Sequence, residues 1–275
     1  MKIEALFQQP NTLPSAPKLV QDLISSFKDE HVSAEEISRK LAADPVLSAK
    51  LLRLANSAYY HVSRSVSTVH DAVLMLGFVT VRTLVISSGL VNGLKSAPGL
   101  DLKQFWRYSL NTCVTAKWLA QQTEENSELV FTIGLMHAIG QLVIHAGMPE
   151  EAQLLDKTVS PLDPARFEAE RDTFGYDYAE VGAELAVRWK FPNEFSDAIR
   201  AFPNPLDHQP FNSMAAIINL AAWFARAHEN YLSRDDILAN FPTEVGARLG
   251  IDPRTLLGKM PPISELSSGL EELVA

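Results

Sequence analysis

The chain has 275 residues, 47% apolar and 21% charged, enough to bury a sizeable core in one large domain or two modest ones. Lys plus Arg number 24 against 33 for Asp plus Glu, a formal charge of -9, and no cluster of cations offsets it, which argues against a nucleic-acid partner. A single cysteine, Cys113, excludes an internal disulfide and a cysteine-rich zinc site and is expected as a core thiol.

The opening MKIEALFQQPNTLP lacks an apolar stretch of signal-peptide length. The run MAAIINLAAWFA (214–225) falls short of the roughly 20 residues a membrane span needs. A cytoplasmic location with no membrane contact is therefore expected.

Helical spacing of apolar residues dominates. In APKLVQDLISSF, Leu19, Val20, Leu23, Ile24 and Phe27 form one stripe. Ser33 and Glu36 have capping-box spacing and open a second helix through Leu41. Asp44-Pro45 starts a third, because proline at the first helical position gives up an N–H that has no partner there anyway. The serine-rich stretch AYYHVSRSVS (58–67) predicts a loop. Thr68 then caps a short helix ending at Gly77, and another runs over 78–91.

After the turn material SAPG (96–99), helices are expected over 102–122 and 127–145. Asp163-Pro164 predicts a helix through Phe174, and Asp177 with Glu180 a capping box opening AEVGAELAVRW. Further helices start at Pro192, near Asn212 and at Asp252-Pro253. The Phe-Pro-x-Glu strings at 191 and 241 have unrelated flanks and read as two similar helix starts, not a repeat. The fold class is all-α and multi-helical, with no heptad run long enough for a coiled coil.

Few motifs carry chemistry. LMLGFVTVRTLVIS (74–87) has the outline of a helix-turn-helix, but it offers only Arg82 and Thr83 as outward polar groups, too few to reach phosphates and bases. Gly89 and Gly93 form a GxxxG, which in this context indicates only close helix contact, and no phosphate-binding loop or nucleophile elbow is present. His137 and His145 fall on one predicted helix, but eight residues put them about 12 Å and about 80° apart, too far to hold one ion together. A phosphoester-hydrolysing metal site would need further His and Asp ligands from neighbouring helices. The segments FWRYSLNTC, FGYDYAEVG and AIRAFPNP supply carboxylates and aromatics but no histidine.

The runs LPSAPKL, DPVLSAKLLRLANSAYY, DAVLMLGFVTVRTLVIS, FWRYSL, GLMHAIGQLVI and FGYDYAEVGAELAVRWKFP together resemble, in order, the HDOD family, the HD-related output domains of bacterial signalling, over residues 11–208. The resemblance implies an N-terminal helical bundle (1–97) packed on an HD-like helical bundle (98–230), with 231–275 as a C-terminal helical extension. Active HD phosphohydrolases place a histidine in the helix matching FWRYSL, a His-Asp pair at the next position, and more histidines or an aspartate further on. By that correspondence Tyr108 stands at the first ligand position and Ala138 at the aspartate beside His137. Tyr178 and Ala201-Phe202 stand where histidines are common, and Gln141 replaces a lysine that faces phosphate.

The resemblance thus implies ancestry from metal-dependent phosphohydrolases, with no catalytic residue, metal or cofactor expected at Tyr108, His137, Ala138 and Tyr178. The expected role is regulatory, through a protein partner in a signalling pathway or a small molecule in the former cleft. Tyr59, Tyr60, His61 and Arg64 are the candidate partner contacts, although the tyrosines could equally close the N-terminal bundle. The alternative is a rearranged metal-dependent phosphohydrolase in which Asp172, Asp177 or Glu180 joins His137. The family often carries a fused sensor or enzyme domain, which this sequence lacks, so any signal is expected to pass by non-covalent contact.

Overall fold

The computed structural model describes residues 2–8, 33–60, 65–93, 97–189, 191–270 and 274. Their regular structure is sixteen α-helices and two short 3-10 turns, without a strand. Contacts divide the chain into two compact units: residues 13–95 with 267–275, and residues 1–12 with 96–266. The stripe over 16–27 lies outside the described residues.

In the smaller unit, α1 is not represented, because Ile3–Leu6 (α1) belongs to the larger one. The smaller unit holds α2 (Ala34–Ala42), α3 (Pro45–Ala55) and α4 (Val69–Gly93) around Ile37, Leu41, Leu51, Leu54, Val73 and Leu84, all buried. Ser33 Oγ accepts from Glu36 N at 3.2 Å, but the Glu36 carboxylate pairs with Lys40 at 2.9 Å, so only half of the expected box is visible. Asp44 caps α3 through Val46 N and Leu47 N. Gly77 interrupts α4 with φ +75° and ψ 159°, which confirms the two expected helices, since that left-handed φ suits glycine and breaks the helical path. Thr83 is buried, not outward as the helix-turn-helix outline requires.

The predicted loop begins as a 3-10 turn, Ala58–Tyr60. Asn56 pins its far end, giving Nδ2–H to Val66 O and accepting from Val66 N, both at 2.8 Å.

The larger unit contains α5 (Leu102–Ala120), α6 (Ser127–Met136), α7 (Ile139–Gly147) and α8 (Pro149–Asp156). It continues through α9 (Arg166–Phe174), α10 (Tyr178–Arg188), α11 (Asn193–Ala201) and α12 (Ser213–Glu229). Four short helices complete it: α13 (Arg234–Ala239), α14 (Thr243–Arg248), α15 (Pro253–Lys259) and α16 (Ile263–Leu266). Helix α5 packs between α6 and α12, while α10 packs on α7 and α11. Both Phe-Pro-x-Glu strings start helices, α11 after Pro192 and α14 after Pro242.

Two expectations need correction. Helix α8 was missed because its apolar residues are few, and Pro149 with Glu150 and Glu151 was its start signal. The helix expected over 127–145 is two helices separated at His137 and Ala138, so His137 and His145 do not share one. Among the described residues, Ser127–Gly147 is long and apolar enough by composition to cross a membrane, and 89% of its most apolar window is buried inside the protein.

Candidate functional site

Two glycines set the position of His137. A Cβ on Gly134 would lie 2.8 Å from the Cys113 Cα, so α6 can approach α5 only with glycine there. A Cβ on Gly140 would lie 1.9 Å from the Tyr178 carbonyl oxygen and 2.8 Å from Gly182 N. This close contact seats α7 against the first turn of α10 and brings Tyr178 toward His137. The Asp177 capping box is complete, with Glu180 N to Asp177 Oδ1 at 2.9 Å and Asp177 N to Glu180 Oε2 at 3.0 Å.

His137 is fully buried. Its Nδ1 lies 2.6 Å from Gly134 O, and because a carbonyl can only accept, that nitrogen carries the proton. Nε2 is left as an acceptor with no partner among the described residues. Tyr108 and Phe202 meet the ring edge-on at 5.0 and 5.3 Å between centroids. Phe167 stacks on Tyr178 at 4.6 Å and touches Phe202 at 5.4 Å. Burial lowers the His137 pKa to about 3, assisted by the nearby Arg226 charge, so the imidazole is neutral at physiological pH.

Tyr108, His137 and Tyr178 therefore come together, and Ala138, also buried, forms the turn between α6 and α7. Burial raises the pKa of both phenols, which stay protonated. Sequence reasoning missed Arg226. Its Nη1 donates to the Tyr108 hydroxyl at 3.0 Å, while its Nε is shut off from solvent without a partner. The signal was an arginine within the apolar run of α12, three residues before Glu229. Glu229 takes two hydrogen bonds from Arg107, one of them 2.8 Å from Nε, and this fork fastens α12 to α5.

A second buried group supports the aromatic cluster. Arg166, almost wholly buried, binds Glu170 Oε1, Asp156 Oδ1 and Val159 O, each at 2.7 Å. Glu170 Oε2 accepts from Tyr178 N at 2.7 Å, which ties this ion cluster to the start of α10. Burial outweighs Arg166 and raises the Glu170 pKa to about 7.

The residues at this site do not fit a divalent metal. Among the described residues no three His, Cys, Asp or Glu side chains converge. Asp177 and Glu180 are occupied in the capping box, Asp177 also pairs with Arg171 at 2.7 Å, and Asp172 is exposed. The charged neighbour of His137 is a guanidinium, which repels a metal ion.

The sequence matches the HDOD domain model over residues 13–205. The chain belongs to the HDOD family. A solved candidate phosphohydrolase from Shewanella amazonensis is 31% identical, with a TM-score of 0.79 and 98% of each chain covered. An HDOD domain protein from Geobacter sulfurreducens is 25% identical, with a TM-score of 0.76 and coverage of 98% of this chain and 96% of that one. A curated protein from Treponema pallidum is 26% identical over 234 residues, which are 80% of this chain and 44% of that protein. The HDOD chain thus spans less than half of that relative's length. The all-helical, HD-like fold expected from the resemblance is confirmed.

Tyr59 and Tyr60 lie in the smaller unit, partly buried and edge-to-face at 5.0 Å. His61 and Arg64 fall outside the described residues.

Proposed function

We propose that this HDOD chain is a regulatory signalling domain that works by binding rather than by metal-dependent hydrolysis. The carrying observation is the Arg226–Tyr108 pair beside a neutral His137, which supplies one positive charge where an HD phosphohydrolase would use acidic and imidazole ligands. A protein partner is the second element of the reading, with the Tyr59-Tyr60 turn and the neighbouring His61 and Arg64 as its contact. Aromatic and arginine side chains together are typical of interface centres. A cytoplasmic setting is part of the same proposal.

Hydrolysis of phosphomonoester and phosphodiester substrates with added Mn²⁺, Mg²⁺ or Fe²⁺ tests the first element, and background rates are expected. Co-purification with Tyr59→Ala and Tyr60→Ala variants tests the second. Retention of every partner by both would remove that turn from the reading.

A further inference from the structure

Buried polar atoms without partners are costly, about 1–3 kcal/mol each and more when charged. Two of those in the larger unit surround Tyr108: His137 Nε2, an acceptor, and Arg226 Nε, a donor. Gln141 Oε1, four residues beyond His137, is a further buried acceptor without a partner, since the amide's Nε2–H goes to Pro161 O at 2.7 Å. Two open grooves, of about 810 Å³ beside Phe174 and about 410 Å³ beside Tyr231, have no such atom among their lining residues.

Arg226 decides what can occupy this place. No carboxylate among the described residues forms an ion pair with it, and the acidic side chain that acts on it electrostatically, Asp163, is exposed and occupied as an acceptor for Ala165 N. A guanidinium in such surroundings needs a counter-charge. A metal ion has the wrong sign, and a neutral ligand leaves the charge unmatched. An oxyanion accepts from the guanidinium fork in its preferred geometry. His137 adds a second requirement: with Nδ1–H held by Gly134, Nε2 can only receive a hydrogen. Arg226 itself is only partly buried, so part of this group faces solvent.

We infer that Arg226, Tyr108 and His137 form a binding site for the oxyanion end of a small ligand, a carboxylate or phosphoryl group with a hydroxyl or N–H beside it. Arg226 carries the charge recognition, the Tyr108 hydroxyl holds the guanidinium in place, and His137 Nε2 accepts from the ligand's donor. This rests on the binding reading above and specifies its ligand class.

Calorimetric titration of the full chain with inorganic phosphate, glycolate and acetate tests it and separates the two sources of oxyanion. Phosphate and glycolate offer both features, whereas acetate has no donor at neutral pH. Saturable binding of phosphate or glycolate is expected, weakened about tenfold or more by Arg226→Gln, as loss of a charge-assisted hydrogen bond requires, and partly retained by Arg226→Lys. If glycolate binds, His137→Phe should remove its advantage over acetate. Nitrogen NMR of the wild-type protein gives a readout independent of variant folding, because the His137 Nε2 signal should move on binding. Absence of saturation by phosphate and glycolate up to about 50 mM would overturn the inference, as would binding that neither Arg226→Gln weakens nor Nε2 reports. Metal-dependent hydrolysis would instead overturn the non-catalytic reading, so the two failures are distinguishable.

Discussion

Replacing His137 with Phe keeps an aromatic ring between Tyr108 and Phe202 and removes the titration. In the folded protein the histidine pKa is about 3, against an ordinary value of 6.5. A folded pKa below the unfolded one contributes stability that is present above pH 6.5 and lost as the pH falls toward 3. At pH 5 the solution is about 1.5 pH units below the histidine pKa of the unfolded chain, so the His137 contribution to stability should fall by about 2 kcal/mol relative to pH 7. Glu170 acts in the opposite sense: with a pKa raised from 4.5 to about 7, its contribution is present below 4.5 and lost as the pH rises through 7. Because Glu170 is common to both proteins, the difference between wild type and His137→Phe isolates the histidine. Loss of the Nδ1–Gly134 hydrogen bond shifts the variant's curve by a constant amount and leaves the pH slope unaffected. All four tryptophans, Trp106, Trp118, Trp189 and Trp223, lie in the larger unit, so their fluorescence during urea unfolding reports the unit that holds His137. Curves for the two proteins that stay parallel from pH 7 to 5, within about 0.5 kcal/mol, would refute the buried, neutral imidazole.

Gly140→Ala drives a methyl group into the Tyr178 carbonyl at 1.9 Å, backbone against backbone, and should destabilise the larger unit by about 3 kcal/mol or more. Gly182→Ala meets the Ile139 Cγ2 at 3.3 Å, a side chain that can give way, and should cost about 1 kcal/mol in the same urea assay. Arg166→Met leaves the buried Glu170 and the partly buried Asp156 without their cation and should cost about 3–5 kcal/mol at pH 8, with a smaller loss at pH 5 where Glu170 is protonated.

Much of the fold was legible because local signals agreed with packing. Asp44-Pro45, Asp177 with Glu180, Asn212 and Asp252-Pro253 all cap the helices they predict, since these bonds depend on residues a few positions apart. The break after Met136 was not legible. Apolar residues continue through it, and its cause lies in the contacts that Gly134 makes with α5 and Gly140 with α10. The aromatic surroundings of His137 could be expected from Tyr108, Tyr178 and Phe202 once the resemblance aligned them. Arg226 stands out as a cation in an apolar run, but its place beside Tyr108 could not be read, because it lies beyond residue 205, where the family match ends, and comes from packing of α12 on α5. Glu170 is similar: the fixed spacing to Arg166 suggests a helix-surface pair, whereas the fold buries both.

The most direct test of the binding account is metal analysis of the purified protein combined with phosphodiester hydrolysis in the presence of added Mn²⁺. The account predicts substoichiometric metal and no hydrolysis above background. About one divalent ion per chain supporting hydrolysis that His137→Ala abolishes without unfolding the protein would contradict it.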